Sequence, residues 1–121
     1  MKNSFAIQDR HVVYEDNHLL AVNKPAGILV QEDETGDTPL SELAKAYIKE
    51  KYAKPGNVFM GVVHRLDRPV SGLVLLAKTS KALTRLNELF RNDKIRKTYL
   101  AITAQKPPQT TDRLVHWLIK D

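Results

Sequence analysis

Asp67 stands where this sequence shows the strongest sign of chemistry. It lies between two apolar stretches that are predicted to be strands, and Pro69 and Gly72 predict a tight connection back into the sheet. A carboxylate in such a connection is held by a rigid scaffold yet stays open at the end of a sheet, where catalytic groups are usefully placed. From this pattern alone the commoner interpretation is structural: the aspartate hydrogen-bonds its own turn and pairs with Arg65 or Arg68, which flank it.

Other polar residues have ordinary interpretations. The histidines show no metal-ligand spacing, so we expect His64 to make a structural hydrogen bond and predict no metal site. Lys24 precedes Pro-Ala-Gly and is as compatible with a place near the site as with a solvated loop. The basic run at 91–97 fits either RNA phosphates or a solvated helix end. Tyr99, by pattern alone, is more often a packing residue.

The composition restricts the class of protein. The chain has 121 residues, a formal net charge of +5 and no cysteine. A basic surplus favours a phosphate-rich partner, because each phosphate that is neutralised releases a counterion. A chain without cysteine forms neither disulfides nor thiolate metal sites, which fits a reducing cytoplasm. No apolar run approaches the roughly 20 residues that span a bilayer, and the N-terminus lacks the apolar core of a signal peptide. We therefore expect a cytoplasmic protein with no membrane partner.

The elements that would position these residues follow from hydrophobic periodicity. Residues 73–77 are apolar without alternation, as expected of a strand covered on both faces. Thr38 is the predicted N-cap of a first helix that begins at Pro39, and Ser80 is the predicted N-cap of a second. The apolar helix faces comprise Leu40, Leu43, Ala44, Tyr47 and Ile48 in the first helix, and Ala82, Leu83, Leu86, Leu89 and Phe90 in the second. The predicted strands cover 12–14, 19–22, 61–64, 73–77 and 97–103. This order predicts an α+β fold with a mixed, mainly antiparallel sheet and flanking helices.

The segment around Asp67 also belongs to a longer motif, which indicates a function. Residues 64–79, His-Arg-Leu-Asp-Arg-Pro-Val-Ser-Gly-Leu-Val-Leu-Leu-Ala-Lys-Thr, closely resemble the central motif of the RluA family of RNA pseudouridine synthases. Three further stretches match that family in the same order, at 15–27, 80–92 and 97–101. The resemblance implies an isomerase that converts uridine to pseudouridine in ribosomal or transfer RNA, with no cofactor or metal. The reaction cleaves the N1–C1′ bond, turns the uracil and rejoins it through C5.

The resemblance also implies roles for three residues. Asp67 corresponds to the family's catalytic aspartate, and covalent catalysis would divide one hard rearrangement into easier steps. Attack on the ribose, attack on C6 of uracil and abstraction of a sugar proton are all compatible with a carboxylate there. Arg65 corresponds to the residue that fills the space left by the extruded base, which offsets part of the cost of unstacking. Tyr99 corresponds to the residue that stacks on the uracil ring.

The match predicts a partial domain. A later family stretch, which contains an arginine that pairs with the catalytic aspartate, does not occur in these 121 residues. The apolar segment at 114–119 also predicts that more sheet follows. We therefore interpret residues 1–10 as an N-terminal extension and 11–121 as the N-terminal part of a pseudouridine synthase catalytic domain, incomplete at its C-terminus. RNA is the expected partner, and the sequence points to no protein partner. The alternative is a non-catalytic RNA-binding module that kept the fold.

Overall fold

The computed structural model describes residues 5–120, which form one four-stranded sheet with a helix on each face. The strands are β1 (Val12–Glu15), β2 (Leu19–Lys24), β3 (Gly61–Val62) and β4 (Gly72–Ala77), and the helices are α1 (Leu40–Lys51) and α2 (Ser80–Arg91). A short 3-10 turn, Asp9–His11, precedes β1. Neither α-helix in the described range is long and apolar enough to cross a membrane.

The sheet is antiparallel throughout the described residues. Its strand order is β1-β2-β4-β3, so β2 and β4 are the central pair. They pair over their full length, from Leu19 opposite Ala77 to Lys24 opposite Gly72. This register brings the end of β2 beside the start of β4, so the turn after Lys24 lies next to the segment that contains Asp67. The α+β prediction with a mainly antiparallel sheet is confirmed.

The main core lies between one face of the sheet and α1. Alternate residues of β2 and β4 point to this face, as the period of a strand requires, and the apolar face of α1 covers them. Burying each such side chain contributes roughly 1.5–3 kcal/mol. Ile7, which precedes the first strand, is also buried here. The fully or nearly fully buried members are Leu20, Val22, Val74 and Leu76 of the sheet and Leu40, Ala44, Tyr47 and Ile48 of α1.

The second face of the sheet is only partly covered. The helix α2 packs its buried Ala82 and Leu86 against Ala77 and the partly buried Leu75. Beyond the end of the helix, Leu73 remains 55% exposed. The prediction that the strand at 73–77 is covered on both faces is therefore wrong at its first residues, because a 12-residue helix covers only part of the sheet.

Both helices begin one residue away from the prediction. Pro39 is the N-cap of α1 and Thr79 that of α2. The hydroxyl of Thr79 accepts a hydrogen bond from the backbone N–H of Ala82 at 3.1 Å. In α1 no capping side chain is used, since the first N–H groups, of Leu40 and Ser41, donate to backbone carbonyls of the preceding loop. Tertiary contacts thus replace the side-chain cap that the sequence predicted.

The segment predicted as a last strand, 97–103, is not a strand. It pairs with none of the four strands in the described part of the chain. Leu100 and Ile102 are fully exposed, and the apolar side chains of 114–119 are also exposed. The physical reason is that a strand is defined by its partner, and alternating apolar residues do not supply one by themselves.

Candidate active site

Asp67 lies in an exposed turn between β3 and β4. The backbone carbonyl of Asp67 accepts a hydrogen bond from the N–H of Val70 at 2.9 Å, which closes the turn. Its carboxylate makes no hydrogen bond and no ion pair with any residue between 5 and 120. Arg65 is likewise exposed, and its guanidinium has no partner in that range. The structural interpretation, in which Asp67 pairs with a neighbouring arginine, is therefore wrong for the described residues.

The arginine after Asp67 binds elsewhere. The guanidinium of Arg68 forms an ion pair with Asp37 and donates from Nε to the carbonyl of Gly27 at 3.0 Å. In return, the N–H of Gly27 donates to the carbonyl of Arg68 at 2.7 Å. Gly27 has a φ of 95°, which favours glycine at this point of the turn. These bonds join the turn after β2 to the turn that carries Asp67.

A buried lysine holds the same two turns together. Lys24 is fully inaccessible, and its Nζ donates to the carbonyls of Ile28 at 2.8 Å, Pro25 at 3.1 Å and Arg68 at 3.2 Å. Burial lowers the pKa of Lys24, and the nearby positive charge of Arg68 lowers it further. Of the two alternatives that the sequence allowed, the place near the site is correct. Alternation could have indicated this, because Lys24 follows Leu20 and Val22 on the inward face of β2.

His64 has the structural role that was predicted. Its Nε2 accepts a hydrogen bond from the backbone N–H of Leu75 at 3.0 Å, and its ring stacks on Phe90 with centroids 5.1 Å apart. Burial lowers the pKa of His64, and the ammonium of Lys97 lowers it further. The neutral imidazole, with its proton on Nδ1, is the form that can accept at Nε2. His64 therefore fixes the start of the Asp67 segment against β4.

A groove of about 490 Å³ lies beside this segment, on the open face of β4. Its walls include Leu66, Val70 and Ser71 from the segment around Asp67, and Tyr99 from the chain after α2. Tyr99 is 62% exposed. The structure thus brings Tyr99 next to the residues that bracket Asp67, whereas Asp67 and Arg65 do not line the groove. Leu73 and Phe90 complete its apolar surface.

Metal ligands are not grouped in this part of the molecule. Among residues 5–120 no three His, Cys, Asp or Glu side chains lie close enough together to hold a metal ion.

Comparison with known proteins assigns the family. The family model for RNA pseudouridylate synthase matches residues 18–121, which is most of the chain. The chain belongs to the RNA pseudouridylate synthase family. The resemblance that residues 64–79 indicated is thereby confirmed.

Relatives of this chain include bacterial enzymes whose names give two kinds of RNA substrate. It is 37% identical to ribosomal large subunit pseudouridine synthase C of Buchnera aphidicola subsp. Acyrthosiphon pisum (strain APS), over 90% of this chain and 33% of that protein. It is 36% identical to tRNA pseudouridine synthase C of Pectobacterium carotovorum subsp. carotovorum, over 75% of this chain and 23% of that protein. The chain therefore spans about a third or less of the curated relatives it matches.

A solved structure shares the fold of this chain. Human RNA pseudouridylate synthase domain containing 4 superposes with a TM-score of 0.59 at 24% identity. The match covers 70% of this chain and 31% of the human one. The shared fold therefore corresponds to one part of that human protein.

Proposed function

We propose that the protein to which this chain belongs isomerises uridine to pseudouridine in RNA, with Asp67 as its catalytic carboxylate. One observation carries the proposal: the carboxylate is exposed and unpaired within residues 5–120, while the backbone carbonyl of the next residue, Arg68, accepts hydrogen bonds from Lys24 and Gly27. A group that acts on a substrate needs this combination of a free functional end and a fixed base. A carboxylate with only a structural role would be expected to use its oxygens within the turn.

Arg65 and Tyr99 would act on the target nucleotide. Arg65 lies two residues before Asp67 and projects an unpaired guanidinium within the described range, so it is free to fill the space that an extruded base leaves. The exposed ring of Tyr99 borders a groove whose 490 Å³ lies within the range of small-molecule sites. An unpaired uracil would stack there on the tyrosine.

The names of the relatives suggest the RNA. Those names cover the large ribosomal subunit and transfer RNA, so we propose one of these two as the substrate. The excess of 19 Lys and Arg over 14 Asp and Glu suits a polyanionic partner of this kind. The cysteine-free composition fits a reducing compartment, and we propose the cytoplasm as the location.

Tritium release from RNA that carries 5-tritiated uridine tests this function, since isomerisation detaches the hydrogen at C5. Both this chain and a version extended at its C-terminus would be assayed on ribosomal and transfer RNA. In the active form, Asp67→Asn should reduce the rate at least about 1,000-fold, as loss of a catalytic group does, while RNA binding stays largely intact. Asp93→Asn, at another exposed turn aspartate, is the matched control and should keep the wild-type rate. Activity retained by Asp67→Asn contradicts the assignment.

The second candidate is a non-catalytic RNA-binding module. The separation of Asp67 and Arg65 from the groove that Tyr99 lines favours it, because a stacking ring can bind a base without the carboxylate. Salt-sensitive RNA binding without tritium release, by both the chain and its extended version, would select this alternative.

A further inference from the structure

A second groove lies at the opposite end of the sheet from Asp67. It has a volume of about 330 Å³ and opens where β2 begins and β4 ends, between Asn17, Lys78 and the region after α1. The central strands are six residues long, so it lies about 20 Å along the sheet from the turn that carries Asp67. It therefore shares no residue with the groove beside Tyr99.

The electrostatics of this groove favour an anion. No aspartate or glutamate lines it, whereas Lys54 and Lys78 do. The ammonium groups of Lys51, Lys54 and Lys78 lie 5.3, 6.0 and 5.2 Å from the ring centroid of Tyr52. One carboxylate, that of Glu15, which does not line the groove, pairs with Lys51 and Lys78. Lys54 has no ion pair within residues 5–120 and keeps its full charge for a ligand.

Two aromatic rings offer flat surfaces at the same place. Tyr52 is 47% exposed and Phe59 is 44% exposed, and both line the groove. The hydroxyl of Tyr52 donates to Glu15 at 2.6 Å, which holds the ring in place. Asn57 adds an amide that can both donate and accept. Aromatic faces beside positive charge, here the unpaired Lys54, are the combination with which proteins bind single-stranded nucleic acid.

We propose that this groove binds one nucleotide of the RNA substrate outside the target uridine. The base stacks on Phe59, and Lys54 binds the adjoining phosphate. The inference rests on the proposed function, because it takes RNA as the partner. Such a contact about 20 Å from Asp67 would add to the affinity for an RNA that spans both grooves.

The test uses the protein to which this chain belongs and a transfer RNA transcript. Phe59→Ala should weaken transcript binding about 5- to 100-fold at fixed salt, as loss of one base-stacking ring does. Lys54→Gln should lower the slope of log affinity against log salt by about 0.7, the share of one phosphate contact. Lys49→Gln is the matched control: it removes an exposed charge from α1 that does not line the groove. Crosslinks from 4-thiouridine in the transcript should map to the peptide that contains Tyr52 and Phe59.

Different failures are separable. If Phe59→Ala and Lys54→Gln bind RNA like the wild type while Asp67→Asn abolishes tritium release, the groove is refuted and the proposed function stands. If Lys49→Gln weakens binding as much as Lys54→Gln, or polyglutamate competes as well as RNA, the surface responds to charge alone and the inference is wrong. If the wild type neither binds RNA nor releases tritium, the proposed function fails and the inference fails with it.

Discussion

Replacing Lys24 by methionine tests how the Asp67 turn is held. Methionine keeps most of the side-chain volume and removes the ammonium group. In the wild type this group is fully buried and donates to three backbone carbonyls, those of Pro25, Ile28 and Arg68. Two of these carbonyls belong to the turn after β2, and the third belongs to the residue after Asp67. The substitution therefore removes the hydrogen bonds through which Lys24 joins one turn to the other.

The loss of free energy of unfolding depends on which carbonyls are left without a hydrogen-bond donor. The carbonyl of Arg68 keeps a second hydrogen bond, from the N–H of Gly27 at 2.7 Å. Those of Pro25 and Ile28 keep none within residues 5–120. A buried acceptor left without a donor, such as the carbonyl of Ile28, costs about 1–3 kcal/mol, and the partly buried carbonyl of Pro25 costs less. Because the ammonium no longer has to be desolvated, part of this loss is offset, and we expect Lys24→Met to lower the free energy of unfolding by about 2–3 kcal/mol.

Thermal unfolding followed by circular dichroism measures this effect. For a domain of this size, 2–3 kcal/mol corresponds to a fall in Tm of about 6–15 °C. The proposed enzyme should also lose about 10- to 100-fold in kcat/KM, because the turn that carries Asp67 is displaced. Lys49→Met removes an exposed lysine of α1 and should change stability by no more than about 0.5 kcal/mol. About 2 °C is the smallest shift in Tm that a loss of about 1 kcal/mol should cause. If Lys24→Met keeps a Tm within about 2 °C of the wild type and an unchanged kcat/KM, the idea that this lysine holds the turn is refuted.

Two further predictions concern the packing of the sheet. Burial raises the pKa of Glu15, but hydrogen bonds from Lys51, Lys78 and Tyr52 outweigh it and lower the pKa from 4.5 to about 2. As the pH falls, the unfolded chain therefore binds a proton at Glu15 before the folded protein does. A stabilisation of up to about 3 kcal/mol is present above pH 4.5 and is lost between pH 4.5 and 2. Urea unfolding at several pH values should show this fall in the free energy of unfolding, and Glu15→Gln should flatten it. Gly61→Ala would place a methyl group 2.8 Å from Cδ1 of Leu83 and should cost about 1–2 kcal/mol in urea unfolding. In a Leu83→Ala background the same change should cost almost nothing, and simple additivity of the two substitutions would contradict the predicted contact.

Most of the fold could be predicted from local sequence. The strands at 12–14, 19–22 and 73–77 appear within two residues of their predicted ends, and both helices begin within one residue of their predicted starts, because apolar residues recur at the period of a strand or a helix. The α1 face at Leu40, Ala44, Tyr47 and Ile48 is buried as the period requires. In α2 the same rule assigned Leu89 to the buried face, yet it is 41% exposed. Periodicity gives the direction of a side chain, but the width of the surface that it meets decides its burial.

Part of the candidate site could likewise be predicted from the sequence, and part could not. The sequence by itself determined the family and the position of Asp67, because residues 64–79 form a continuous motif that can be read without knowing its neighbours. Only the tertiary structure decided that Arg68 binds Asp37 and leaves Asp67 free, and that Lys24 is buried beneath both turns. These contacts join residues 31 and 44 positions apart, which no local pattern encodes. The structure also left 97–103 without a partner strand, since pairing depends on what lies beside a segment and periodicity depends only on the segment itself.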